Sequence, residues 1–247
     1  MSVKFNKKSV PDFIRITGIK FPVMGEISHN ETVIPRRFGN IDNGINFGGK
    51  KINLTITLVK DKIKNIHTQS DELKVWLKGD NWKPSQLTFD EQPTKYLLAR
   101  VVGSVDINDL FMYGESEIEF IASDPTKYDL ASYNVSSTNG AVNIPYAGME
   151  DTPAVITVTV KEACNNLNIK HTQTGFNIRL IGAFKAGAVV LIDCDKKVVK
   201  VNGAVTMKLL AFESRWIYLS SGTNTITVTS EDKPALNTVS VDYKVAN

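Results

Sequence analysis

The sequence predicts a mainly β protein with one short α-helix, and three observations lead to that prediction. Residues 52–59 alternate apolar and polar side chains, which is the period of a strand with one buried face. Residues 68–79 instead have the apolar spacing of a helix. After residue 150, short strand-like runs alternate with turn residues and show no helical period, which is typical of an antiparallel β-sandwich.

The predicted helix lies in the first half of the chain and has recognisable ends. Thr68 and Ser70 can each supply a hydroxyl that caps a helix at its start, and Gly79 can end it. An apolar stripe at the spacing i, i+3, i+4 is formed by Leu73, Trp76 and Leu77. Because Trp76 lies on this stripe, we expect it to anchor the core rather than to bind a ligand.

Further strands and turns are predicted along both halves of the chain. In the first half, turns are expected at Asn40–Gly44, Gly48–Gly49 and Asp90–Pro93, and strands at Ser85–Phe89, Lys95–Asp106 and Glu115–Ala122. In the second half, strands are expected at Ala154–Val160, Phe176–Leu180, Ala188–Asp193, Lys197–Val201, Trp216–Leu219, Thr225–Ser230 and Val239–Lys244. The spacing of the second set favours a separate sandwich domain.

A polar segment of small residues marks a domain boundary near the middle of the chain. Ala131–Gly140 is rich in Ser and Asn, and it follows Asp124-Pro125, which discourages continued regular structure. We therefore expect an N-terminal domain over residues 1–130, a linker over 131–144 and a C-terminal domain over 145–247.

Composition and charge exclude several classes of protein. The 29 basic and 26 acidic residues leave a net charge of +3, too balanced for the basic field that holds nucleic acid. No apolar run reaches the roughly 18 residues that a membrane span needs. Val10-Pro11-Asp12 follows the basic start, so we expect no export signal and free thiols at Cys164 and Cys194. We predict no nucleic-acid partner and no membrane partner.

Catalytic and metal-binding patterns are not evident in the sequence. His29, His67 and His171 lie far apart and lack metal-ligand spacing. Asp193 and Asp195 could share a strand face and serve a glycosidase or a calcium site, but a solvated outer face is the simpler interpretation. We therefore predict no catalytic residue, no metal ligand, no cofactor and no enzymatic activity.

Two motifs carry a resemblance to a known family. Leu87-Thr88-Phe89-Asp90-Glu91-Gln92-Pro93 with Tyr96 follows the predicted helix, and Phe120-Ile121-Ala122-Ser123-Asp124-Pro125-Thr126-Lys127-Tyr128 ends the first half. In this order they resemble the distal tail protein family of long-tailed (siphovirus) phages and prophages. Val190–Asp193, Val201–Gly203 and Leu219–Val228 are similar to the galectin-like sandwich that this family often carries.

The resemblance implies both a fold and a structural function. It implies an N-terminal β-sandwich-like ring domain with one helix and a C-terminal galectin-like β-sandwich. Six copies would form a hexameric ring at the distal end of the tail tube and anchor the adsorption apparatus or baseplate for host attachment. The implied partners are the tail tube protein, the tape-measure protein, the tail-associated lysin and a receptor-binding or baseplate protein. The implied location is the virion tail tip, after synthesis in the bacterial host cytoplasm.

Candidate ring-interface residues lie in the segment Glu31–Phe38. This segment has two open interpretations: an edge strand whose Pro35 blocks unwanted pairing, or an arm onto a neighbouring subunit. Arginine and aromatic residues are enriched in interface cores, which favours the arm. The candidate contact residues are Val33, Ile34, Arg36, Arg37 and Phe38.

The alternative function is a carbohydrate-binding module acting in host-surface adhesion. Its candidate residues are Glu213, Arg215, Trp216 and Tyr218, which could supply an aromatic platform with charged neighbours. Trp216 and Tyr218 alternate with Ile217 and Leu219, so one of these two pairs must face the core. The galectin sugar signature of His, Arg, Asn, Trp and Glu is absent from the sequence.

Overall fold

The computed structural model contains two compact units, Met1–Lys127 and Tyr128–Asn247. It describes residues 2–59, 65–105, 110, 114–230, 233–234 and 237–247. Within these ranges the structure is mainly β and contains the α-helix Ile66–Lys78, which confirms the predicted fold class. In the part of the chain that the structure describes, no helix is long and apolar enough to cross a membrane.

The N-terminal unit is built on one antiparallel sheet. Its strands are β1 (Val3–Phe5), β2 (Lys8–Ser9), β3 (Ile14–Lys20), β4 (Ile27–Thr32), β5 (Ile41–Phe47), β6 (Lys50–Leu58), β7 (Ser85–Phe89), β8 (Gln92–Val102) and β9 (Glu115–Ala122). The sheet order is β2-β1-β7-β8-β9-β6-β3, while β4 and β5 form a separate two-stranded sheet. Strand β8 begins at Gln92, so Pro93 lies in the strand rather than in the predicted corner, and Asp106 lies outside the described residues.

The core of this unit follows the period-two pattern of β6 and the apolar stripe of the helix. Ile52, Leu54 and Ile56 are fully buried, as their alternation with polar neighbours predicted. Trp76 is also buried, and its ring meets the rings of Phe5 and Phe120 edge-to-face at 6.0 and 6.2 Å. The prediction that Trp76 anchors the core is therefore confirmed.

The helix α1 spans Ile66–Lys78 and begins earlier than predicted. Asn65 is its N-cap, because the Asn65 side chain accepts hydrogen bonds from the backbone N–H groups of His67 and Thr68. The predicted caps at Thr68 and Ser70 were wrong, since both residues lie inside the helix. Gly79 ends the helix as predicted, with a positive φ of 55°.

The C-terminal unit is a β-sandwich of two main sheets. Its strands are β10 (Tyr128–Asp129), β11 (Tyr133–Ser137), β12 (Ala141–Tyr146), β13 (Thr152–Pro153), β14 (Val155–Thr159), β15 (Cys164–His171), β16 (Asn177–Phe184), β17 (Val189–Asp193), β18 (Val198–Val201), β19 (Ala204–Val205), β20 (Tyr218–Leu219), β21 (Gly222–Ser230), β22 (Lys233–Pro234) and β23 (Thr238–Tyr243). One sheet has the order β11-β23-β14-β17-β18-β19 and the other β12-β21-β15-β16. Side chains of both sheets form one apolar cluster.

Two segments of this unit differ from the sequence-based expectation. Residues 131–144, expected to be a linker, contain β11 and most of β12, which pair with β23 and β21. The polar composition reflects strands with one solvated face, not an unstructured connection. Strand β15, Cys164–His171, was not predicted, because its Asn-rich sequence has few of the β-branched residues that indicate strands.

Candidate functional site: an exposed hairpin of the N-terminal unit

The hairpin of β4 and β5 is exposed along its length. Every residue of β4 is exposed, and in β5 only Ile41 is partly buried. Among the strands described, these two pair only with each other, in an antiparallel register that shifts between His29 and Glu31. A two-stranded hairpin without a packed face is at best marginally stable in water. This hairpin therefore has the properties of a surface that a partner covers.

The hairpin has one apolar face near its base. Ile27 pairs with Phe47 and His29 pairs with Ile45, so these four side chains lie on the same face. Ile27, Ile45 and Phe47 are 46%, 51% and 74% exposed. On the opposite face, Ser28 pairs with Asn46. The apolar residues of this face were not among the predicted interface residues, although Ile45 and Phe47 are spaced by two as in a strand.

The outer half of the hairpin is held by polar contacts. His29 Nε2 lies 3.0 Å from Asp42 Oδ1, and the Asn40 side-chain amide donates to Glu31 Oε2 at 2.8 Å. The Gly44 N–H donates to Asp42 Oδ1, and Gly44 has a φ of 90° that a side chain would oppose. The segment Asn40–Gly44, predicted to be a turn, lies mostly within β5. Gly44 lies at the point where the pairing register of β4 and β5 shifts.

The five predicted interface residues lie together in the loop between β4 and β5. Val33, Ile34 and Phe38 are 70%, 39% and 106% exposed, which is unusual for large apolar side chains. The Arg37 N–H donates to the Ile34 carbonyl at 3.2 Å, and Arg36 has a φ of 68°. The segment is thus the tight tip of a hairpin and not an edge strand of the main sheet.

Glycines fix the base of the hairpin to the rest of the unit. A Cβ at Gly25 would lie 2.2 Å from the Gly48 carbonyl oxygen, so only glycine fits there. The Gly48 N–H donates to the Glu26 carbonyl at 2.6 Å, and the Glu26 N–H donates to the Gly49 carbonyl at 3.3 Å. Gly48-Gly49 forms the connection to β6, as predicted.

The alternative carbohydrate residues of the C-terminal unit do not form one open platform. Ile217 and Leu219 face the core, whereas Trp216 is half-buried against it. The Glu213 carboxylate lies 3.5 Å from the Arg179 guanidinium, and the Arg215 guanidinium lies 5.5 Å from the centre of the Phe176 ring. Tyr218 lies in β20, which pairs with β13, and Tyr218 is opposite Pro153 in that pair.

The pair of acids in the second half is separated by the fold. Asp193 is buried, and its carboxylate accepts from the Lys196 N–H at 2.9 Å and from the Lys196 ammonium at 3.1 Å. Burial alone would raise the pKa of Asp193, but the contacts with Lys196 outweigh it and lower that pKa. Asp195 is exposed in the following turn, so the expected shared solvated face was wrong. No group of metal-ligating side chains occurs among the residues described.

Comparison with protein-family models gives two matches that together span most of the chain. Residues 5–122 match a "phage tail protein RIFT-related domain", and residues 147–246 match a "siphovirus-type tail component, C-terminal domain". The first match contains the exposed hairpin. A comparison with curated protein sequences gave no significant match.

Comparison with solved structures shows the same fold in phage tail proteins. The Dit protein of phage SPP1, described as a paradigm of hub adsorption apparatus in Gram-positive infecting phages, has a TM-score of 0.79 at 13% identity, covering 100% of this chain and 98% of its own. A chain of the phage P2 baseplate, activated with calcium, has a TM-score of 0.53 at 7% identity, covering 99% and 97%. The same baseplate activated with strontium gives 0.51 at 7% identity, covering 94% and 99%.

Proposed function

Since the chain belongs to the distal tail protein family of long-tailed phages, we propose that it forms a hexameric ring through its N-terminal unit. Its family also makes it a structural component of a phage tail and not an enzyme, as the sequence predicted. The proposed ring closes the distal end of the tail tube. Residues 1–130 supply its subunit contacts, and residues 145–247 supply none.

The observation that carries this proposal is the exposed hairpin of β4 and β5. Phe38 at its tip and Phe47 at its base are 106% and 74% exposed. Leaving such side chains in water forgoes about 1.5–3 kcal/mol of burial for each. Large apolar side chains that are exposed together on one element usually mark a protein interface. The hairpin therefore supports the arm interpretation over that of an edge strand.

Ring geometry explains why the contact surface is an arm. In a closed ring each subunit contacts its neighbour through two different patches, because the interface is heterologous. A projecting hairpin supplies one patch on a well-defined element, and its apolar face with Ile27, Ile45 and Phe47 faces the neighbouring subunit. The tip residues Val33, Ile34, Arg36, Arg37 and Phe38 extend that contact.

The position of the ring implies its other partners. We assign it to the virion tail tip, after synthesis in the bacterial host cytoplasm, between the tail tube and tape-measure proteins on one side and the lysin and receptor-binding or baseplate proteins on the other. The hub role described for the SPP1 Dit protein supports this arrangement. In this role the chain anchors the adsorption apparatus.

Native mass spectrometry of the full chain at several concentrations tests the ring. We expect six-subunit particles whose population rises with concentration, since assembly follows mass action. Phe38→Ser and Phe47→Ser should each weaken assembly by about 30-fold, which corresponds to the roughly 2 kcal/mol of an interface hot spot. Circular dichroism should show the same fold for all variants.

Asn46→Ser is the matched control, because Asn46 neighbours Phe47 in β5 but lies on the opposite face. It should assemble like the original chain. A chain that stays monomeric at every concentration would count against self-assembly into a ring. Equal assembly of Phe47→Ser and Asn46→Ser would instead exclude the apolar face as the contact.

A further inference from the structure

Two lysines of the N-terminal unit flank one aromatic ring. The Lys50 ammonium lies 5.0 Å and the Lys127 ammonium 4.6 Å from the centre of the Phe21 ring. Phe21 in turn meets Phe89 edge-to-face at 5.4 Å. Attraction to the ring electrons stabilises each cation. That attraction does not remove the repulsion between the two charges.

The hydrogen-bond partners of these lysines are neutral. Lys50 Nζ donates to the Val23 carbonyl at 3.1 Å, and Lys127 Nζ donates to Gln92 Oε1 at 2.8 Å. Among the residues that the structure describes, no carboxylate forms an ion pair with Lys50, Lys95 or Lys127. Lys50 is only 5% exposed, so most of its side chain is removed from water.

The positive charges at this place oppose one another. Burial lowers the pKa of Lys50, and the nearby charge of Lys127 lowers it further. Burial likewise lowers the pKa of Lys127, with a second contribution from Lys95. Buried charges are normally paired with an opposite charge, because removing an ion from water costs several kcal/mol. Lys50 is buried and Lys95 and Lys127 are half-buried, and none of them has a described carboxylate partner. This arrangement is therefore an exception that an anion would resolve.

A small cavity lies beside Lys127. Its volume is about 10 Å³, which is room for roughly one water-sized group. Lys95, Lys127 and Gln92 form its polar lining, and Phe89 and Tyr96 contribute to its aromatic lining. One carboxylate oxygen has about the size of a water molecule and fits this space, whereas the several oxygens of a phosphate group do not.

We propose that Lys95 and Lys127, supported by Lys50, form a binding site for a single carboxylate group. The group can belong to a small carboxylic acid or to an acidic side chain of a second copy of this chain. Binding places one negative charge beside two ammonium groups and offsets their mutual repulsion. None of the three lysines lies in the hairpin, so the site does not rest on the proposed ring contact.

Thermal unfolding of the full chain with sodium acetate, against sodium chloride at the same ionic strength, tests the site. Acetate at about ten times its dissociation constant should raise the Tm of the N-terminal unit by about 3–6 °C. Lys127→Met should abolish this shift and, without acetate, should raise the Tm because the repulsion with Lys50 and Lys95 is removed. Lys95→Met should reduce the acetate shift as well, which provides a second variant.

The matched control is Lys51→Met, since Lys51 is an exposed lysine of β6 whose side chain does not line this cavity. It should retain the full acetate shift. No acetate shift in the original chain, an equal shift in Lys127→Met, or a larger shift with phosphate would each overturn the proposal. If Lys127→Met also weakens assembly of the full chain tenfold or more, the carboxylate comes from a second copy. Unchanged assembly would show that the bound carboxylate belongs to a small carboxylic acid.

Discussion

Two hairpins of this molecule have similar backbones and opposite environments. Strands β4 and β5 in the N-terminal unit and strands β15 and β16 in the C-terminal unit are both antiparallel pairs with one register shift. In the second hairpin Leu167, Ile169, Ile178 and Leu180 are completely buried. In the first, the apolar face is open to water.

The difference arises from what lies against each hairpin. Strand β15 also pairs with β21, and its inner face joins the apolar cluster formed by both sheets. Within the described part of the chain, strands β4 and β5 pair only with each other. The hairpin of β15 and β16 is stabilised by its own unit, whereas the hairpin of β4 and β5 is the one that we propose as a contact with another subunit. The comparison therefore predicts unequal responses to equivalent substitutions.

The largest effect is expected in the buried hairpin. Leu167→Ala should lower the free energy of unfolding of the C-terminal unit by about 2–5 kcal/mol, because it removes buried methyl groups and leaves a cavity. Urea unfolding monitored by circular dichroism measures this change. A loss under about 1 kcal/mol would mean that this hairpin contributes little to its core, and the comparison would fail.

An intermediate effect is expected from pH, through the last residue of β15. His171 is fully buried, with its Nδ1 2.8 Å from Thr174 Oγ1 and its Nε2 3.0 Å from Asn224 Oδ1. Burial lowers the pKa of His171 below 6.5, and this shift is partly offset by the hydrogen bond with Asn224 and by the negative charge of Asp151. The unfolded chain therefore binds the proton more strongly, and the contribution of neutral His171 to stability is fully present above pH 6.5.

As the pH falls below 6.5, that contribution should be lost, by at most about 1.4 kcal/mol per pH unit. Urea unfolding of the C-terminal unit between about pH 7.5 and pH 5, roughly the titration range of histidine, measures the slope. The His171→Gln variant should be less stable at the upper end of this range and should have a smaller slope. Equal slopes in both proteins would show that another group controls the acid response.

The smallest effect is expected in the exposed hairpin. Phe47→Ala should change the stability of the monomer by no more than about 0.5 kcal/mol, because the ring contributes little buried area to its own unit. The same urea titration at a concentration below assembly measures it. A loss as large as that expected for Leu167→Ala would show that Phe47 packs within its own chain, and the hairpin would no longer be a candidate interface.

Several features of this protein were determined by local sequence. The alternation of Ile52, Leu54 and Ile56 with polar residues identified β6, and the helical spacing identified Trp76 as a core residue. The start of the helix was less well determined by local sequence. Asn65 and Thr68 are both good N-cap residues, and the sequence does not show which of them caps the helix. The family resemblance also lies in local sequence, since the motif that ends at Tyr128 is a continuous stretch of the chain.

Tertiary structure alone decided which apolar faces are covered. Ile45 and Phe47 alternate along a strand as Ile178 and Leu180 do, but no described strand of the N-terminal unit covers the first pair. Tertiary structure also brought Phe21, Lys50 and Lys127 together from positions far apart in sequence. The physical reason is that the period of a strand determines which side chains share a face. Only the neighbouring strands and the opposing layer determine whether that face meets protein or water.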